Sequence, residues 1–212
     1  MAEFDFPAIL LGGGGHAKVL MEALLLQGRK VLGYTSLDHE GANALSLNRL
    51  GDDRVIADYD PETIDLVNAI GSIKSTLIRR RLFEQFQIKG YRFATVVHPT
   101  AVVAADARLL EGVQVMAGAV VQPGTTLGEN SIVNTGALID HDCEIGAHVH
   151  IAPGAVLSGG VRVAHGAHIG TGAVVIQGIV IGANSMIGAG AVIVKDVPSD
   201  VTVVGVPGRI IN

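Results

Sequence analysis

Sixteen consecutive hexads run from Ala101 to Asp196 without an insertion, and the third residue of each is aliphatic, from Val103 and Leu109 through Ile139, Ile151 and Leu157 to Ile193. Four residues after each aliphatic comes a small slot. Fourteen of these sixteen slots are Ser, Thr, Ala or Val, and the exceptions are Cys143 and Ile179. A period of six fits neither a helix, at about 3.6, nor a plain strand, at about 2. It is the pattern of a parallel β-helix built from hexapeptide repeats. At the usual three hexads per coil, sixteen make slightly more than five coils. Stacked at about 4.8 Å per coil, they form a prism of about 25 Å.

The remainder of the 212 residues reads differently. Pro7 to Leu11 is an apolar run that ends in Gly12-Gly13-Gly14-Gly15, and His16 to Gln27 has helical periodicity. Lys30 to Tyr34 and Leu66 to Ile70 read as strands, Lys74 to Gln87 as a helix, and Arg92 to Val97 as a last short strand. The stretch from Leu37 to Asp53 reads as a loop. Strands alternating with helices imply a small parallel sheet covered by helices. The expected organisation is therefore an α/β Rossmann-like domain over 1–99, an all-β prism over 100–196, and a tail over 197–212 that leaves the repeat.

A net charge of −5 with no basic run argues against nucleic acid as a partner. Arg79-Arg80-Arg81 reads as the solvated face of a helix. No signal peptide and no stretch able to span a bilayer is visible, so no membrane partner is expected. The single Cys143 excludes an internal disulfide and fits a cytoplasmic location. Cys143 occupies a small inward slot, where a thiol is an inert core residue rather than an acyl carrier.

Gly12 to Ala17 satisfies G-x-G-x-x-A between a strand and a helix. Glycines allow close approach of a phosphate, and the helix N-terminus supplies free N–H groups. The same residues also suit a tight turn with no ligand. The second strand ends Gly33-Tyr34-Thr35-Ser36 with no acid before Asp38, so NAD is not expected. Gly71, at the end of the next parallel strand, faces the same crevice by the switch-point rule or is a simple strand-ending glycine. In the prism, His141 lies at an outward corner two residues after the inward Ile139, between Asp140 and Asp142. A histidine with a neighbouring carboxylate suits proton removal from an amine, and it also suits a plain surface. His150 and His168 are eighteen residues apart, hence one coil apart in one column. The paired, five-residue histidine spacing of zinc-binding trimeric β-helices is missing, so no metal is expected.

Leu11 to Lys18, the hexads, Asn134 to His150 and the ending Val203-Val204-Gly205-Val206-Pro207-Gly208-Arg209 occur together. In this the chain resembles the bacterial sugar acyltransferases that pair a small Rossmann-like domain with a left-handed β-helix. These include N-acetyltransferases for nucleotide-linked 4-amino sugars, of perosamine and bacillosamine type, and sialic acid O-acetyltransferases. The resemblance covers nearly the whole chain and implies acetyl-CoA as donor, a homotrimer with sites between chains, and a place in lipopolysaccharide O-antigen biosynthesis. It puts a general base at His141 and its acidic partner at Asp142. Asn134, Gly13, Gly14, Gly15, His16, Thr35, Ser36 and Gly71 become expected contacts of the nucleotide-linked sugar. His150, Gly159, Thr171, Ala189, Pro207 and Arg209 become expected contacts of coenzyme A. Gly159 also suits an oxyanion donor or a tight corner. A His141–Asp142 bond requires the backbone to turn, because adjacent strand residues point to opposite faces. A reaction at an amino sugar is favoured over O-acetylation by the nucleotide crevice, and a non-catalytic sugar-nucleotide binder is the remaining class.

Overall fold

The computed structural model describes residues 6–37, 47–72 and 75–211. Its first half is a five-stranded sheet of β1 (Ala8–Leu11), β2 (Val31–Thr35), β3 (Arg49–Gly51), β4 (Asp65–Asn68) and β5 (Arg92–Phe93), in the order β3-β2-β1-β4-β5. All its pairings are parallel. Helices α1 (Gly15–Leu26) and α2 (Leu77–Ile88) cover opposite faces. Ala8 and Leu10 pack with Leu20 and Leu24 of α1, whereas Ile9 and Leu11 pack with Phe83 and Phe86 of α2. A central parallel strand buried on both sides needs this unbroken apolar run. The strand order reverses between β1 and β4, so their carboxyl ends open a crevice there.

Two expectations for this half change. Leu37 to Asp53 is not wholly a loop: β3 forms the sheet edge, and a 3-10 helix runs over Asp53–Asp58. Asp38 and residues 39–46 lie outside the described residues. Arg79 is not on a solvated face. Its side chain is buried and donates to the carbonyls of Asn68, Ile70 and Asn130. Arg80, paired with Glu84, and Arg81 do lie toward solvent.

The hexads wind into a prism with three parallel sheets as faces. The aliphatic third residue and the small slot of each hexad fill its interior, including Cys143 at 0% exposure. The prism starts earlier than the repeats suggest. Arg92–Val97 divides, with β5 joining the first sheet and β6 (Val96–Val97) pairing with Gln114–Val115 as the first rung of the prism. It also continues past Asp196. Val197 bridges to Ile181, and Thr202–Val204 pairs in parallel with Met186–Ile187 before folding back on Arg209–Ile210. This last coil is two residues short, yet Val203 still sits over Ile187 in the core. Burial of one more aliphatic residue outweighs the broken period.

The three faces differ in what they turn outward. The first, running from β6 through His150–Ile151 to Met186–Ile187, lies under the N-terminal half, and its Gln114, Ile132, His150 and His168 are buried. We call it the covered face. The second presents Val102, Val120, Leu138, Val156, Val174 and Val192 in one column, all part-exposed or exposed. This is the aliphatic face. The third presents Arg108, Thr126, Glu144, Arg162 and Val180, and is the polar face. No helix among the described residues is long and apolar enough to cross a membrane.

Candidate active site

The corners of the prism decide where chemistry is placed. Most contain a left-handed residue, and in most of these it is glycine, as at Gly136, Gly154 and Gly172 or Gly160 and Gly178. At the edge between the aliphatic and polar faces, Asp142 takes that role with φ of 57°. The turn that the sequence required between His141 and Asp142 is therefore present. It brings His141 Nδ1 to 2.8 Å from Asp142 Oδ2, so the ring donates its Nδ1 proton to the carboxylate. Asp140 acts on the backbone instead, where its Oδ1 accepts the N–H of His141 at 2.8 Å. Both acids raise the His141 pKa above the ordinary histidine value, the Asp142 hydrogen bond first and the charge of Asp140 next. The Nε2 edge is left as an exposed base.

Gly159 lies one coil above His141 on the same edge, with the Gly160 N–H donating to the His141 carbonyl. A Cβ on Gly159 would come within 2.6 Å of both Nε2 and Cε1 of His141. The imidazole therefore lies flush over the glycine, and no other residue leaves it that room. Cys143 is buried next to this corner and donates to the Ser158 carbonyl. Burial raises its pKa, which keeps it a neutral thiol.

Asn134 lies on a different edge, between the covered and aliphatic faces. Thr171 and Ala189 follow on that edge, exposed, in the same column as Thr135 and Pro153. One chain thus does not set His141 and Gly159 beside Asn134, Thr171 and Ala189; the aliphatic face separates the two groups. Pro207 and Arg209 are exposed at the far end of the prism.

His150, expected beside the acyl donor, is buried on the covered face with both ring nitrogens engaged. Nδ1 meets Ser72 Oγ at 2.5 Å, and Nε2 meets Asn134 Nδ2 at 3.1 Å. Its ring stands edge-on to His168, 4.9 Å between centroids. Burial, then the neighbouring His168, His16 and Arg79, push its pKa far down, so it is neutral. Burial also lowers His168.

The glycine loop and Gly71 meet at the switch-point crevice. Gly12, at φ of 109°, abuts Ile70, and a Cβ on Gly13 would strike the Tyr34 ring at 2.6 Å. Packing alone demands these two. Gly14 and Gly15 have open space where a Cβ would sit, so the fold itself does not require them to be glycine. His16 lies 2.7 Å from Gln114 Oε1, and Gln114 Nε2 donates to the Asn68 carbonyl. That arrangement makes His16 Nε2 the donor. Burial and then the Arg79 charge lower the His16 pKa to about 4. Thr35 differs from its expected role: it is fully buried and its hydroxyl donates to Asp53, which closes its side chain to a ligand. Ser36 remains at the crevice, within contact range of Gly13.

Sequence reasoning missed Ser72, Gln114, Asp53 and Arg79. Only Gln114 carried a signal, as a polar residue in the outward column that also holds His150 and His168. Among the described residues, no group of three or more His, Cys, Asp or Glu is placed to hold a metal ion.

An αL aspartate costs about 1 kcal/mol relative to glycine. Asp142→Gly is expected to raise unfolding stability by up to that amount, read from urea denaturation. A fall of similar size would show that the corner is not strained.

Comparison with known proteins gives this geometry a family. A family model of the PglD N-terminal domain matches residues 8–86, and one of the bacterial transferase hexapeptide (six repeats) matches residues 124–159. No curated protein matches the chain. The acetyltransferase domain of PglB from Neisseria gonorrhoeae, solved with acetyl coenzyme A, is 36% identical, with a TM-score of 0.91 over 98% of this chain and 100% of that one. PerB from Caulobacter crescentus, solved with CoA and GDP-perosamine, is 38% identical, with a TM-score of 0.90 over 97% of each chain. WeeI from Acinetobacter baumannii is 25% identical, with a TM-score of 0.80 over 97% of this chain and 100% of that one. By these likenesses the chain belongs to the left-handed β-helix hexapeptide acyltransferases with a PglD-type N-terminal domain, the family of the sugar N-acetyltransferases.

Proposed function

We propose that this chain transfers an acetyl group from acetyl-CoA to the 4-amino group of a nucleotide-linked deoxysugar, in the cytoplasm and as a homotrimer. The observation that carries this reading is the His141 corner: Nδ1 is held by Asp142 while Nε2 is bare and exposed. An amine is largely protonated at neutral pH and attacks a thioester only as the free base. His141 Nε2 takes that proton, and Asp142 orients the ring and stabilises the imidazolium that forms. The amine nitrogen bonds to the carbonyl carbon, the C–S bond breaks, and the thiolate leaves. Gly159, packed against the His141 ring, offers its N–H to the oxyanion. Asn134 holds the amine or a sugar hydroxyl through its amide.

The nucleotide part belongs in the crevice of Gly13, Gly14, Gly15, His16, Ser36 and Gly71. Gly14 and Gly15, glycines without a packing reason, suit a diphosphate approaching the N-terminus of α1. The neutral His16 adds no charge of its own. PerB is solved in complex with CoA and GDP-perosamine, and so is the perosamine N-acetyltransferase of Caulobacter crescentus with a histidine replaced by asparagine or alanine. These relatives support a perosamine-type sugar here.

The aliphatic face supports the trimer. Its column from Val102 to Val192 is left part-exposed or exposed by the described residues, while the His141 edge lies on one side and the Asn134 edge on the other. Turned toward a threefold axis, this face is buried and the ring closes. The His141 and Gly159 edge of one chain then meets the Asn134, Thr171 and Ala189 edge of the next. The acyl donor lies along that cleft toward Pro207 and Arg209, with His150 behind it, acting through Asn134.

Thiol release from acetyl-CoA, followed over a panel of GDP-, UDP- and dTDP-linked 4-amino sugars, tests the reading. His141→Asn is expected to keep the trimer and reduce turnover at least a hundredfold, the scale of general-base loss. Near-normal turnover in that variant, or O-acetylation of sialic acid with no release on the panel, would refute it. Because the base must be unprotonated and its pKa is raised, kcat/KM is expected to rise with pH through a midpoint above the ordinary histidine value. Asp142→Asn should move that midpoint to lower pH, and an unmoved midpoint would free Asp142 from this role. Leu138→Arg, a charge in the middle of the aliphatic column, should yield monomers without activity in sedimentation and thiol-release measurements. An active trimer would place the interface elsewhere.

A further inference from the structure

Ser72 sits where the two halves of the molecule touch. It follows Gly71 at the crevice, is buried, and reaches His150 on the covered face of the prism. The direction of the hydrogen bonds through His150 follows from elementary donor counting. The Thr135 N–H lies 2.8 Å from Asn134 Oδ1, so the Asn134 amide must turn its oxygen there. Its nitrogen then faces His150 Nε2 at 3.1 Å and donates to it. Nε2 is therefore bare, the single ring proton of neutral His150 is on Nδ1, and Nδ1 donates to Ser72 Oγ. Reversing any one bond would set two donors against each other.

We propose that Ser72 is a positioning residue for acetyl transfer: by accepting the Nδ1 proton of His150 it fixes the tautomer whose Nε2 holds the Asn134 amide. The crevice that binds the nucleotide is thereby coupled to the edge where the acetyl group is transferred. Without the Ser72 hydroxyl, the Nδ1 proton is buried with no acceptor. Moving it to Nε2 sets it against the Asn134 amide N–H, so the amide turns or the ring shifts. Both outcomes loosen Asn134. The edge-on contact with His168 limits how far the ring can move in compensation. This proposal rests on the reading of Asn134 as a substrate contact.

Ser72→Ala and Ser72→Thr in the full chain test it, with steady-state kinetics on the accepted amino sugar. Ser72→Ala should lower kcat about tenfold, the cost of one misplaced hydrogen bond, while the KM for acetyl-CoA changes less than about twofold. Ser72→Thr, which keeps the hydroxyl, should recover most of the loss. Nitrogen-15 spectra of histidine-labelled protein, with the His150 signals identified by their absence in His150→Gln, should show a protonated Nδ1 and a bare Nε2 in the wild type. That pattern should be lost in Ser72→Ala. A protonated Nε2 on His150 in the wild type overturns the proposal, as does a Ser72→Ala enzyme with unchanged kcat. A wild-type chain inactive on every amino sugar removes the functional reading instead, and the role of Ser72 with it. An active wild type beside an equally active Ser72→Ala removes Ser72 alone.

Discussion

The prism depends on stacking coils eighteen residues apart from Val96 to Ile193, so that each aliphatic residue covers the one below while the backbones pair in parallel. The interior column and the hydrogen-bond ladders enforce the same register, since a slip of one residue would turn every aliphatic outward. Such a prism has little freedom of its own. Residues on its edges are held at set heights and on set faces, which is the preorganisation that proton transfer and acyl transfer require. The same rigidity prevents any single chain from folding one edge onto another.

Two consequences follow at the corners. Most corners turn on a left-handed residue, and glycine supplies it in most coils at no steric cost. Where Asp142 replaces glycine, the unfavourable conformation lets a carboxylate reach back to the preceding histidine, which an extended strand forbids. Local strain here is tied to a particular contact. Gly159 above it is glycine for the opposite reason, to leave space for the imidazole.

The N-terminal half is joined to the prism by polar residues as well as by packing. Arg79, buried with no carboxylate partner among the described residues, holds the carbonyls of Asn68, Ile70 and Asn130, and so ties β4 and the Gly71 loop to the prism. Burial first, with the Arg79 charge adding to it at His16 and less at His150, keeps both histidines neutral, which fixes them as one-donor, one-acceptor groups. Gln114 and Ser72 use that property to join the crevice to the covered face. The two halves thus meet through hydrogen bonds, of which those at His16 and His150 take their direction from the protonation of these two histidines.

The sequence by itself determined the parallel β-helix, because a period of six across sixteen hexads has one physical solution, and it determined the inward place of Cys143 and the outward place of His141. It also marked the βαβ half and its glycine loop, since strand, turn and helix signals there are local. Three things were decided only in three dimensions. Val96–Val97 and Thr202–Val204 join the prism although they lie outside the repeat, because burial of an aliphatic rung does not need a perfect period. Thr35 is spent on Asp53, and Arg79 is buried, because both pair with groups distant in sequence whose approach no local pattern announces. His141 and Asn134, seven residues apart in the chain, are separated by a whole face, because each corner turns the backbone to a new direction.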